Sequence, residues 1–352
     1  MALQYDAPSS RTDFQAALSA NPSLSSATEA AINKILGDAE TVSVASFDGT
    51  NLQAENPASV DAVVATIAGA AGDKVTVTIP AEVLANASAY VFNSDADLSV
   101  RFNTVDRVIA SGNGNDEITV AGDHNTTLDG ADGNDTLVTS GGEDSVSGGA
   151  GDDSISTAAG DDTIVAGEGN DTIDAGTGFD VVQMTGASAD YTFEVVDGKV
   201  VASHVSDTSL SVTVANGEIF TFGGGDNVVV TENATAANAM RMYGALFDRA
   251  ADAEGAEYWL ELVDNGTLSL KQVADYFLES PEFQSKGEMS NDEYIELLYV
   301  NGLGRESDAE GKAFWVDAME QGVDQGSVLI EFVGSAGAAE EINNVLIVTG
   351  LV

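Results

Sequence analysis

The chain has 352 residues, with 12 Lys and Arg against 58 Asp and Glu, giving a formal net charge of −46. So acidic a surface excludes binding to nucleic acid through its phosphates, while an apolar content of 43% excludes an acidic disordered tail. No apolar run approaches the roughly 18 residues of a membrane span.

Cysteine is absent, which removes disulfides, thiolate metal sites and thiol nucleophiles together and suits a protein that folds after export. The two histidines, His124 and His204, are 80 residues apart, so no multi-histidine site forms. GxSxG, Walker A and GxGxxG patterns are missing as well, and the chain reads as a non-enzyme. The N-terminal MALQYDAPSSRTDF lacks the basic-then-apolar order of a signal peptide. We therefore expect either a cytoplasmic protein or export by a route that does not read the N-terminus.

Residues 1–110 read as an α+β region. Helix is expected within 1–40, best at TEAAINKIL (28–36), and again at AEVLANA (81–87). Short strands are expected at TVSVASF, KVTVTIP, AYVFN, LSVRF and DRVIAS, leading into the next segment as irregular coils.

Between Val108 and Gly198 there are nineteen Asp and Glu and no Lys or Arg. The segment has a period of nine: SGNGNDEIT (111–119), GADGNDTLV (130–138), TSGGEDSVS (139–147), GGAGDDSIS (148–156), TAAGDDTIV (157–165), AGEGNDTID (166–174) and AGTGFDVVQ (175–183). A degenerate ten-residue turn, VAGDHNTTLD, separates the first two rows. Over 111–183 the sequence resembles the RTX, or haemolysin-type, calcium-binding nonapeptide family, GGxGxDxUx. The resemblance implies a parallel β-roll in which each coil takes two nonapeptides.

One apolar residue per row, from Ile118 to Val182, then points inward from a short strand. Residues eighteen apart share an edge, which stacks Asp135, Asp153 and Asp171 on one side and Asp144, Asp162 and Asp180 on the other. Asp116 joins the first edge through the ten-residue turn. Carboxylates stacked at about 4.8 Å repel unless a cation lies between them, and hard oxygen donors select Ca²⁺. The seven aspartates give five pairs, Asp116/Asp135, Asp135/Asp153, Asp153/Asp171, Asp144/Asp162 and Asp162/Asp180, so about five calcium sites are expected.

Residues 184–235 read as an antiparallel cap, with turns at Asp197-Gly198 and Asn216-Gly217. GGGDNVVV (223–230) reads as a stray final turn of the roll. From 236 to 352 the periodicity becomes helical and a repeat appears: YGALFDRAADAEGAEYW (243–259) aligns with YVNGLGRESDAEGKAFW (299–315), and FLESPEF (277–283) with FVGSAGA (332–338). Ser269 with Gln272 and Ser290 with Glu293 form capping boxes. This block resembles the DUF4214 family of helical repeats, which accompany calcium-binding repeats in secreted and surface-layer proteins. In the DAEG segments Asp252 and Asp308 read as helix caps clamped by Arg249 and Arg305, with calcium binding as the other option. Trp259 and Trp315 read as core anchors. Because SPEF becomes SAGA, the last helix of the second copy is the least specified.

The expected architecture is multidomain and mainly β, with a parallel β-roll or β-solenoid, a β-hairpin cap and an α C-terminal domain. The two resemblances imply a type I-secreted bacterial protein, with the apolar C-terminal tail as its export signal. The expected function is structural: a calcium-folded protein of the cell surface or matrix that self-assembles with copies of itself into a surface layer or filament. The alternative is a calcium-dependent adhesin that engages a cell-surface polysaccharide or a protein.

Overall fold

The computed structural model describes residues 8–103 and 105–348. The first and last few residues, including the end of the expected export tail, lie outside them. The chain divides into two compact units, residues 1–184 with 190–217, and residues 185–189 with 218–351.

The first unit is a parallel β-solenoid of about seven turns. One of its sheets runs through Val44–Phe47, Ala62–Thr66, Ala89–Asn93, Arg107–Ala110, Thr126–Asp129, Ser145–Ala150, Thr163–Glu168 and Val181–Gln183. The other runs through Lys74–Val77, Asp97–Asn103, Glu117–Ala121, Thr136–Val138, Ser154–Ser156 and Asn170–Asp174. Register follows the nonapeptide arithmetic. Leu137 pairs with Ile155 and Ile155 with Ile173, while Val146 pairs with Ile164 and Ile164 with Val182. These side chains are buried and form the stacked core of the roll.

The coil continues N-terminally without the aspartates. Val44 pairs with Ala62 eighteen residues on, the same step as in the roll. Ala62 pairs with Ala89, and this longer coil holds the short helix α3 (Ala81–Leu84) that follows the helices α1 (Arg11–Ser19) and α2 (Ser26–Ile35). Buried Arg107 donates to the carbonyls of Leu84 and Ala87, closing the C-terminal end of α3 where the carbonyls lack helical partners. Phe14, Leu18 and Ile32 of α1 and α2 pack with Val42, Val44, Ala62, Ala89, Val91 and Val108. The helices therefore cover the outer face of these strands, which are apolar on both faces. Strand Ala62–Thr66 was not anticipated, because a strand covered on both sides loses its alternation.

The N-cap Ser25 and Thr28 of α2 both donate to Asp129 Oδ2, at 2.8 and 2.6 Å, fixing the helix to the degenerate ten-residue turn. After the roll, Ser211–Ala215 extends the second sheet in parallel with Asn170–Asp174. Lys199–His204 and Tyr191–Val196 follow it antiparallel. Their hairpin turns at Asp197-Gly198, both with positive φ.

The second unit holds α4 (Ala234–Phe247), α5 (Ala253–Asp264), α6 (Leu270–Glu279), α7 (Pro281–Gln284), α8 (Asn291–Leu303), α9 (Ala309–Glu320), α10 (Gln325–Val333) and α11 (Ala336–Glu341). Both capping boxes form, at the starts of α6 and α8. Helix α11 forms despite the SAGA sequence, because Ser335 caps it by accepting from Ala338 N, as Ser280 accepts from Phe283 N in the first copy. The segment read as a stray final turn of the roll instead ends in a strand, Val228–Thr231, paired antiparallel with Ile219–Thr221 and parallel with Val345–Ile347. The apolar tail is thus a strand at its described end. Trp259 and Trp315 are half-buried rather than core, lying against Phe277 and Phe332 at 5.2 and 5.4 Å between ring centroids.

Candidate metal centre

Each nonapeptide turns through glycine before its aspartate. At Gly151 φ is +127°, and a Cβ there would overlap the Gly133 carbonyl one coil below, so only glycine fits. This close stacking brings the predicted aspartates into two columns. Asp116 N donates to Asp135 Oδ1 at 2.7 Å, Asp135 N to Asp153 Oδ1 at 2.8 Å and Asp153 N to Asp171 Oδ1 at 2.9 Å. On the other edge Asp144 N donates to Asp162 Oδ1 at 2.7 Å and Asp162 N to Asp180 Oδ1 at 2.9 Å. The five sequence pairs are therefore neighbours in space, and all seven aspartates are buried.

Each main-chain bond uses Oδ1. The Oδ2 atoms of Asp135, Asp144, Asp153, Asp162 and Asp171 are buried and make no hydrogen bond. A buried ionised oxygen without a partner is costly, so its repetition down both edges calls for a ligand. Asp116 differs, because its two oxygens accept from Leu98 N and Gly112 N at 2.7 and 3.1 Å. A Cβ on Gly148 would overlap both Asp153 Oδ2 and the Ala166 carbonyl oxygen. The same holds at Gly130 for Asp135 Oδ2 and the Gly148 carbonyl. Carboxylate and carbonyl oxygens thus converge beside the unpartnered atoms, a hard-oxygen donor set suited to Ca²⁺. Among the described residues no group of three or more Asp, Glu or His side chains converges. Each coil contributes one aspartate per edge, so main-chain carbonyls must complete any coordination sphere.

Burial raises the carboxyls of Asp116, Asp135, Asp144, Asp153, Asp162 and Asp171. It pushes Asp135 up to about 9, with Asp116, Asp153 and Asp129 adding repulsion. Asp153 rises to about 7, and Asp116, Asp162 and Asp171 each to about 6, with burial the largest cause.

A second ladder escaped the sequence reading. The residue before each motif aspartate stacks on its counterpart: Asn115 N donates to Asp97 Oδ1, Asn134 N to Asn115 Oδ1, Asp152 N to Asn134 Oδ1 and Asn170 N to Asp152 Oδ1, at 2.7–3.0 Å. The signal was the Asn or Asp at the fifth position of most rows. The ladder is exposed and polar, satisfying turn amides rather than gathering charge. In the second unit Asp252 Oδ1 and Asp308 Oδ1 each accept from a helical amide, Gly255 N and Gly311 N, at 2.8 Å, while each Oδ2 faces an arginine at 3.4 Å. The DAEG segments are helix caps clamped by arginine.

Residues 120–155 and 147–182 match the RTX calcium-binding nonapeptide repeat, described as four copies. Residues 231–287 and 274–342 match the domain of unknown function DUF4214. The chain therefore carries RTX calcium-binding repeats and a C-terminal DUF4214 domain. Repeats of this kind are typical of type I-secreted extracellular proteins, and their solenoids are typical of structural or binding proteins, although some RTX proteins are enzymes. No described helix is long and apolar enough to cross a membrane. No curated protein and no solved structure matches the chain.

Proposed function

We propose that this is an exported structural protein whose roll folds on calcium and which then self-assembles at the bacterial cell surface or in its matrix. The observation that carries the calcium part is the row of buried, unpartnered Oδ2 atoms. Asp135, Asp153 and Asp171 hold cations along one edge and Asp144, Asp162 and Asp180 along the other, with Asp116 a weaker terminal ligand because both its oxygens are already engaged. Binding energy at such sites is folding energy. Outside the cell, affinities of about 10⁻⁴–10⁻³ M suffice, so the roll stays unfolded until it meets external calcium.

Self-assembly is supported by the solenoid class and by the charge. A chain at −46 repels its copies, and calcium reduces that repulsion. Electron microscopy and sedimentation of the purified chain should show ordered sheets or filaments in millimolar calcium and dispersed chains in EDTA. Dispersed monomers in both conditions would remove the self-assembly reading.

One observation favours the adhesin alternative. Tyr258 and Tyr276 are 57% and 53% exposed and flank half-buried Trp259, leaving an aromatic surface that sugar rings can stack on. A glycan array decides it: binding by the wild type that is lost in Tyr258→Ala supports an adhesin, and a blank array removes it.

A further inference from the structure

The two helical repeats differ at the charged position that faces their shared arginine, and the difference leaves a guanidinium half-used. In the first copy Arg249 lies 4.8 Å over the Tyr243 ring, and its Nη1 donates to the Ala250 carbonyl and Asp252 Oδ2 at 3.1 and 3.4 Å. Its Nε and Nη2 then donate to Glu282 Oε1 and Oε2 at 3.0 and 2.9 Å, a bidentate pair. In the second copy Arg305 lies 5.0 Å over Tyr299, and its Nη1 reaches the Glu306 carbonyl and Asp308 Oδ2 at 3.5 and 3.4 Å. Three anchors coincide, so the side chain is held the same way.

The fourth anchor is gone. The residue that aligns with Glu282 is Gly337. Helix α11 is present with its Ser335 cap, so the element survives while the carboxylate is lost. Glu341 packs against Gly304 but forms no ion pair with Arg305. Among the described residues, Nε and Nη2 of Arg305 donate to nothing, and the side chain is 55% exposed. A pre-oriented planar fork with an open edge is the geometry that receives a carboxylate.

We propose that the Nε/Nη2 edge of Arg305 is a carboxylate-binding site, filled by an Asp or Glu of a second copy of this chain. This rests on the self-assembly reading and names one of its contacts. Charge complementarity selects the occupant: each copy carries 58 acidic residues and only 12 Lys and Arg, so an open arginine is a scarce cation and its complement covers every neighbouring copy. An arginine ordered by aromatic stacking and then desolvated by a partner is the kind of residue that dominates an interface.

The test uses the full chain in millimolar calcium, with sedimentation velocity across a concentration series. Arg305→Ala removes the fork. Gly337→Glu supplies the missing carboxylate at a helical position, where only a flexible Leu303 methyl must yield, and closes the fork from within as Glu282 does. Both variants should raise the concentration needed for assembly at least about tenfold, the scale of a lost interfacial charge pair, with unchanged far-ultraviolet circular dichroism. Wild type that never assembles overturns the self-assembly reading and this occupant with it. Wild type and both variants assembling at one concentration overturns this inference alone. If instead the variants assemble normally but lose wild-type binding to polygalacturonate, the occupant is a foreign polyanion and the second copy is overturned.

Discussion

Asp153 shows at the scale of one residue what a cation would offset in the roll. Its Oδ1 is fixed by Asp135 N while its buried Oδ2 has no hydrogen bond, so ionisation is unfavourable until something positive arrives. Burial lifts its pKa to about 7, above the ordinary carboxylate value of 3.8, and lifts Asp135 to about 9. A folded value above the unfolded one means that stability is fully present below the unfolded pKa and lost as pH rises through the folded one. In EDTA, circular dichroism should therefore show more β signal near about pH 5 than near about pH 8, with loss centred between the values of Asp153 and Asp135. In calcium the order reverses, because the cation takes the place of the proton and binds the ionised form. Asp153→Asn should follow the same logic: at about pH 8 it favours the calcium-free roll by about 1–3 kcal/mol and weakens calcium binding. A variant that loses stability in both conditions would mean that the charge is satisfied without a cation.

The turns set the limits of the coil at the scale of the element. The second position of the nonapeptide takes φ near +105° at Gly149, Gly167 and Gly176, yet alanine occupies it at Ala131 and Ala158 with φ of 65° and 71°. An L-residue in this left-handed region costs roughly 1–2 kcal/mol, more than glycine loses in chain entropy. Ala158→Gly should thus stabilise the calcium-bound roll by about 0.5–1 kcal/mol, read as a higher melting temperature for its transition. A lower one would show that the turn gains nothing from glycine. These positions illustrate what the sequence makes legible. The nine-residue apolar register exposed the coil, the eighteen-residue partners and the aspartate columns, because every coil repeats one set of contacts. Capping boxes marked α6 and α8 for a similarly local reason. Non-repeating packing hid the rest: the cover of α1 and α2 masked strand Ala62–Thr66, and the bonds from Ser25 and Thr28 to Asp129 span about a hundred residues. The open edge of Arg305 became visible only when two copies could be compared atom by atom.

For the whole molecule, the two units depend on different forces and should respond differently to chelation. The core of the roll is thin, a single stack from each sheet such as Leu137, Ile155 and Ile173, and its edges bury carboxylates that repel one another. The helical unit has a conventional core in which Val273, Phe277, Tyr294, Leu298, Val328 and Phe332 are buried on α6, α8 and α10. Its DAEG aspartates are already engaged by helix amides and arginines. Removing calcium therefore removes the counter-charge of the roll and nothing comparable from the helices. The roughly five proposed Ca²⁺ would offset about ten negative charges, so the calcium-bound chain would remain strongly acidic and its unfolded roll would be expanded by self-repulsion. Thermal melting followed by circular dichroism should show two transitions in calcium. At about pH 8 EDTA should abolish the β transition, while the helical signal persists and melts within a few degrees of its calcium value. A single transition that moves as one with calcium would mean that the helical unit draws its stability from the roll, and the separate accounts of the two cores would fail together.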